Sequence, residues 1–468
     1  MTPAERRARG RAARKSAPRS SHGVFEPAPD RPDPIALLEE QGVGRIAALL
    51  PIRYGRMLAS PFAFLRGGAL IMATDLATTP ATGLRVQASG DAHLSNFGVY
   101  ASPERRLVFD VNDFDETLPA PREWDVKRLA TRIEVAGRDN GASTAQRGRA
   151  VQAAVARYRT TMRRLARQPE LAVWYAEAEL DELGTQYQKL MGRRERKLSR
   201  EDLARLQNRD ARQSVSKLVH TVDGAPRIVD EPPLIVPVAD LPGAPGAAPS
   251  APGAAGSWPG IEKILAVYRR TLPADRQHLL NRFRVADAAL KVVGVGSVGM
   301  GCWIILLTGR DDSDLLILQV KQATTSVLSR FAGPSSYLSQ GKRAVAGQEL
   351  MQATSDIFLG WHPAGKNPSQ GVGDCYIRQL RDWKYSLPVE AMRPGMMHRY
   401  GELCGQALAR AHARSGDRIA ISAYLGTSDV FDQAVARFAA AYADQNERDH
   451  AALAAAVSSG RLPAQTNV

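Results

Sequence analysis

Three apolar runs of strand length follow one another between residues 292 and 320, and no other stretch restricts the fold as much. Val292–Val298, Cys302–Leu307 and Leu315–Val320 are each too short for a helix and rich in β-branched or aliphatic residues. Thr308-Gly309-Arg310-Asp311-Asp312 separates the last two and has the chemistry of a hairpin turn. Consecutive short strands joined by tight turns predict an antiparallel sheet. The first junction is glycine-rich: Gly294-Val295-Gly296-Ser297-Val298-Gly299. In a dinucleotide fold such glycines open a helix, but here a second strand follows. The pattern fits either a plain flexible hairpin or backbone N–H groups laid over phosphates.

Lys321 closes the third run, where it either reaches water or pairs with phosphates held by the glycine junction. A helix is expected over about Gly341–Thr354, then a strand at Cys375–Leu380 and helices at Met396–His412 and Asp429–Val457. Glu349 shares a helix face with Val345, so it is either an exposed acid or a carboxylate for Lys321.

A second strand-rich stretch lies far upstream. Leu84-Arg85-Val86-Gln87 alternates, and Arg106–Val111 is a short apolar run. Between them, Gly90-Asp91-Ala92-His93-Leu94-Ser95-Asn96-Phe97-Gly98 has the composition of an ordered loop, and Asp113-Phe114-Asp115 follows the second run. Asp91 and Asn96, with Asp113, are hard oxygen groups that could place a nucleophile and hold Mg²⁺. Alternatively they are Asx turns.

The rest is mostly helical. Spacing predicts a helix over Pro34–Leu50 closed by Pro51, and a helical region from Trp124 to about His220 that includes Ala145–Arg167 and Arg193–Lys217. Val126, Leu129, Ala130 and Ile133 form its first buried stripe. Residues 239–260 are a Pro/Ala/Gly linker or insertion. The formal net charge of +14 is concentrated at the start, with seven basic residues against Glu5 in the first 20. Residues 1–33 therefore read as a disordered basic tail, the only part expected to attract nucleic acid. Three cysteines exclude a disulfide framework, and no apolar run is long enough to span a membrane. The chain reads as soluble and cytoplasmic.

These motifs resemble the protein-kinase-like superfamily, most closely its aminoglycoside phosphotransferase-type branch. That branch carries a Gly-Asp-x-His-x-x-Asn loop and an Asp-Phe-Gly or Asp-Phe-Asp metal motif. Over most of its length the chain also resembles a bacterial family, domain of unknown function 2252. Gly90–Gly98, Asn112–Thr117, Glu123–Leu129, Ser355–Trp361 and Tyr376–Asp382 carry that likeness. The resemblance implies an α+β, two-lobed kinase-like fold with a small β-rich nucleotide lobe and a larger helical lobe. It also implies ATP and Mg²⁺ as cofactors, and a small-molecule or protein acceptor.

Carried over by position, Asp91 is the catalytic base, His93 the loop histidine, and Asn96 and Asp113 the metal ligands. Gly294, Gly296, Ser297 and Gly299 form the lid, Lys321 contacts the phosphates, and Glu349 holds Lys321. Asp125 either braces the catalytic loop or is an ordinary acid of a helix start. Ser89 departs from the histidine kinases usually carry there, and Asp115 from the glycine of the metal motif. The motif order is permuted, since the catalytic loop precedes the glycine loop. Residues 34–238 and 386–468 would then build the helical lobe around a nucleotide lobe at 261–385. The expected activity is phosphoryl transfer. The alternatives are a nucleotidyltransferase, an ATP-binding pseudokinase, or a basic nucleic-acid-binding or scaffold protein.

Overall fold

The computed structural model describes residues 1–176, 217–241, 261–364, 373–380 and 387–466. Its first element corrects the expectation of a disordered tail. α1 (Pro3–Ser16) is a helix opened by a capping box: Thr2 Oγ accepts from the Glu5 N–H, and Glu5 accepts from the Thr2 N–H. Arg14 donates to the carbonyls of Ala423 and Tyr424, and Arg19 to that of Leu425. These carbonyls end the helix Arg418–Leu425, where cations are favourable. His22 is buried with Nε2 2.8 Å from the Tyr424 hydroxyl. Composition alone could not reveal that the basic side chains cap a helix 400 residues away.

Four short helices follow: α2 (Pro34–Gly42), α3 (Leu50–Leu58), α4 (Pro61–Gly67) and α5 (Ala69–Ala77). Pro51 sits in the first turn of α3 and opens that helix, correcting the expectation that it closes one. Next, β1 (Arg85–Ala88) pairs antiparallel with β4 (Leu118–Pro121), and β2 (Phe97–Ala101) with β3 (Leu107–Val111). The Asp91–Asn96 loop lies between β1 and β2. α6 (Arg122–Asp139), α7 (Thr144–Leu165) and the short α8 (Glu170–Trp174) complete this half. The expected stripe on α6 is buried, and so are Arg122, Glu123, Asp125, Lys127, Arg128 and Arg132 on its other faces. The expected helix Arg193–Lys217 lies largely outside the described residues, as does 242–260 of the linker. His220 lies in β5 (Val219–Val222), paired with β6 (Ala225–Ile228), so the helical region ends earlier than its spacing implies.

The main sheet has six antiparallel strands in the order β11-β12-β10-β9-β8-β7. They are β7 (Ile235–Pro237), β8 (Arg284–Lys291), β9 (Cys302–Thr308), β10 (Leu315–Gln322), β11 (Gly360–His362) and β12 (Cys375–Gln379). β7 precedes the linker, so the sheet draws on residues from both sides of it. α9 (Ile261–Arg269) and α10 (Ala274–Leu280) lie between β7 and β8, and α11 (Ser329–Ala332) and α12 (Gln340–Met351) follow β10.

The expected strand Val292–Val298 is corrected. The strand is β8, which ends at Lys291, and the Val/Gly alternation forms the turn after it. Gly294 (φ +67°) and Gly299 (φ +83°) adopt left-handed backbone that a strand excludes. The polar residues Arg284, Asp287 and Lys291 hide β8 from a hydrophobicity pattern.

The chain closes with α13 (Pro394–Ser415), α14 (Arg418–Leu425) and α15 (Val430–Ser458). α6, α7, α13 and α15 share one apolar core, while the sheet and α9 build another around Tyr268, Leu318, Val320 and Ile377. Along β10, Leu318 and Val320 face that second core, and Gln319 and Lys321 project from the opposite side, as period-two alternation requires. No helix among the described residues is long and apolar enough to cross a membrane.

Candidate functional site

A cleft of about 670 Å³ lies on the Gln319–Lys321 face of the sheet. Its walls include Asp91, His93, Asn96 and Asp113 from one part of the chain. Gly294, Gly296, Ser297 and Lys321 come from the other. The structure thus brings together eight of the ten residues singled out in the sequence. Gly299 sits at the end of the glycine turn, against Arg45.

Glu349 is the exception: it is exposed on α12 and does not meet Lys321. Val345 packs with Leu359 and Tyr376 away from the cleft, and the face of α12 that lines the cleft carries Gln352 and Gln348, the latter about 100° of helix rotation from Glu349. The Lys321 ammonium is held by Asp115 Oδ2 at 2.5 Å and Asp113 Oδ1 at 3.4 Å. Burial alone would lower the Lys321 pKa, but these two carboxylates outweigh it and hold it well above the ordinary lysine value. Tyr376, opposite Lys321 in the β10–β12 register, donates its hydroxyl to Asp115 Oδ1 at 2.6 Å. Arg343 donates to the carbonyls of Asp115 and Thr117 and fixes this loop from α12. Burial also pushes the nearby Glu116 carboxyl up, while its Oε2 accepts from the Val327 N–H at 2.7 Å.

The Asp91 loop is built from α6. Arg128 contacts Asp91 Oδ1 through Nε (2.6 Å) and Nη2 (2.5 Å), and Arg132 Nη2 lies 3.8 Å from the same oxygen. Among the described residues the one hydrogen bond donated to this carboxylate goes to Oδ1, and none reaches Oδ2. Asn96 donates Nδ2 to the Asp91 carbonyl at 2.9 Å, which reserves its Oδ1 for another partner. His93 Nδ1 accepts from the Ser95 N–H at 3.0 Å, so the ring proton is on Nε2. Burial holds His93 well below the ordinary histidine value, reinforced by Arg132, Arg66 and Arg128, and the ring is neutral.

Asp125 takes the bracing role that its sequence position allowed. Its oxygens accept from the N–H groups of Ser89 (2.7 Å) and Gly90 (3.0 Å). His412 Nε2 lies 3.1 Å from Asp125 Oδ2, and its Nδ1 lies 2.9 Å from the Tyr158 hydroxyl.

The site residues that sequence reasoning missed are Asp115 as the lysine partner, Arg128 and Arg132. Arg128 and Arg132 were detectable, because Asp125, Arg128 and Arg132 are spaced three and then four apart on one helix face.

The donor set suits a hard divalent cation that keeps part of its coordination for waters or substrate: Asn96 Oδ1 and the Asp113 carboxylate border the same cleft. Among the described residues, no group of three or more His, Cys, Asp or Glu is arranged to hold a metal unaided. Backbone N–H groups of the glycine turn, the Lys321 ammonium and the guanidinium of Arg66, which also lines the cleft, can receive anionic oxygens.

The profile of a family described as uncharacterised proteins conserved in bacteria (domain of unknown function 2252) matches residues 45–456. The chain belongs to that family. No curated protein and no solved structure matches it.

Proposed function

We propose that the protein is an ATP-dependent phosphotransferase with a kinase-like fold in circularly permuted order. It would move the γ-phosphoryl group of a nucleoside triphosphate to a hydroxyl of a small-molecule or protein acceptor. One observation carries this reading. The Lys321 ammonium meets the carboxylates of Asp113 and Asp115, 208 and 206 residues earlier, in a cleft that also contains Asp91, Asn96 and the glycine turn. Read cyclically from Gly294, the order is glycine turn, lysine strand, α12, β12, α13, Asp91 loop and Asp113. The His412–Asp125 contact, which joins α13 to the support of the Asp91 loop, favours that arrangement.

Each group has a defined task in the proposed transfer. Arg128 occupies Asp91 Oδ1, so Oδ2 accepts the acceptor's hydroxyl proton as its oxygen bonds to phosphorus and the bridging P–O bond to the nucleoside diphosphate breaks. Asn96 and Asp113 would hold Mg²⁺, which when bound offsets negative charge on the phosphate oxygens. Lys321 turns from its carboxylates toward the phosphates. Because Asp113 and Asp115 already face that space, a bare triphosphate would be repelled there, and entry as the metal complex is favoured.

Calorimetric titration with Mg·ATP and Mg·GTP tests the reading, followed by mass spectrometry of candidate acceptors. Wild type should bind one of the two complexes, and Lys321→Ala should weaken binding by about tenfold or more. Asp113→Ala should lower transfer at least about a hundredfold, through lost charge stabilisation. Absence of binding to wild type, or full transfer by Asp113→Ala, would overturn it. An AMP adduct in place of phosphate would reassign the cleft to nucleotidyl transfer.

A further inference from the structure

The glycine turn is fastened by the N-terminal helices, through residues that include Arg45 on the cleft wall. Arg45, between α2 and α3, donates Nη1 to the carbonyls of Gly296 (2.8 Å) and Val298 (2.6 Å), while its Nε is fixed on the Gln41 carbonyl (2.8 Å). Arg56 on α3 donates Nη1 to the Gly294 carbonyl at 2.7 Å. The Ile46 N–H donates to the Gly299 carbonyl at 2.8 Å. Four carbonyls of a six-residue turn are therefore held by one short segment of the N-terminal helices.

A trans peptide is planar, with its N–H antiparallel to its C=O. Drawing the Gly294, Gly296 and Val298 carbonyls toward the arginines points the N–H groups of Val295, Ser297 and Gly299 away from them. Among the described residues none of these three N–H groups donates to a protein acceptor. Gly294 at φ +67° opens the turn, and left-handed residues of this kind make N–H groups converge into an anion-binding concavity. A glycine loop without such ties would have to be ordered by the nucleotide itself, at an entropic cost to affinity.

We propose that Arg45 and Arg56 are positioning residues that hold the glycine turn in its phosphate-receiving shape before a nucleotide arrives. The segment around α2 and α3 is then a built-in clamp on the nucleotide site. This rests on the nucleotide reading of the cleft. Neither residue need touch the reacting atoms: the arginines act through the carbonyls, and the N–H groups of the turn make the contact.

Amide exchange of Ile46, Met300 and Gly301 reports the clamp directly, because all three amides are hydrogen-bonded at the turn or its tie. In wild type without nucleotide they should be protected, and Mg·ATP should add little. Arg45→Ala should speed their exchange by about tenfold or more and raise KM for Mg·ATP by a similar factor, with kcat within about twofold. Arg45→Lys, which keeps a donor for the two carbonyls, should recover part of both effects. Arg56→Ala, a change at an exposed contact, provides a second variant should Arg45→Ala fail to fold, and should show the same split more weakly.

Unchanged exchange in the folded alanine variants would overturn the clamp, as would a loss confined to kcat. The exchange measurement needs no nucleotide. Failure of wild type to bind Mg·ATP would therefore remove the phosphotransferase reading while leaving the clamp to be judged on its own result.

Discussion

Burial lowers the pKa of Lys127, whose Nζ lies 4.5 Å from the Phe438 ring centre on α15, to about 7 from an ordinary value of 10.5; Glu123 opposes the shift. A base depressed in the fold is protonated first in the unfolded chain. As pH falls from about 10.5 toward about 7, this residue therefore costs progressively more stability, and below about 7 the cost is constant. Lys127→Met should stabilise the protein at pH 7 by an amount on the order of a few kcal/mol, and by much less at pH 10. Urea unfolding of both proteins at the two pH values checks this, and an equal gain at both would contradict it. Asp125 presents the opposite case, a charge the fold needs. Asp125→Asn sets an amide against the Ser89 and Gly90 N–H donors, and lost charged bonds of this kind are worth about 1.5–3 kcal/mol each. Exchange of those two amides should rise about tenfold or more, and transfer should fall by at least that factor while Mg·ATP still binds.

Among the elements, those specified by neighbours in sequence were readable and those specified by distant partners were not. The β9–β10 hairpin follows from Asp311, whose Oδ1 accepts from the N–H and Oγ of Ser313 within the turn. The Asp91 loop and Asp113 were likewise legible, since loop composition and flanking strands lie within one stretch of chain. β8 was missed because its polar residues find partners off the sheet; Asp287 Oδ2, for example, accepts from the Ile228 N–H at 2.8 Å. Helical spacing proposed Glu349 for Lys321, but it ranks only the acids of one helix. Asp115 prevails because the loop after β3 reaches the end of β10 through a contact spanning 206 residues. Arg45 had no legible role, since its acceptors are backbone carbonyls some 250 positions away.

On the scale of the whole molecule, the N-terminal helix belongs to the folded body. A Cβ at Gly10 would overlap the Ala420 backbone on α14, and His22 packs edge-on against Tyr424 and Phe431. Deletion of residues 1–24 should therefore lower the melting temperature by at least several degrees. Gly10→Val should do part of the same, by forcing α1 off α14. Thermal unfolding followed by circular dichroism measures both, and a deletion variant that melts with wild type would show α1 to be a passive addition.

The contact of His412 with the support of the Asp91 loop bears on how the protein is made. This buttress, His412, is translated 287 codons after the Asp125 it supports. The loop's support is therefore complete only once α13 has been made and has packed against α6.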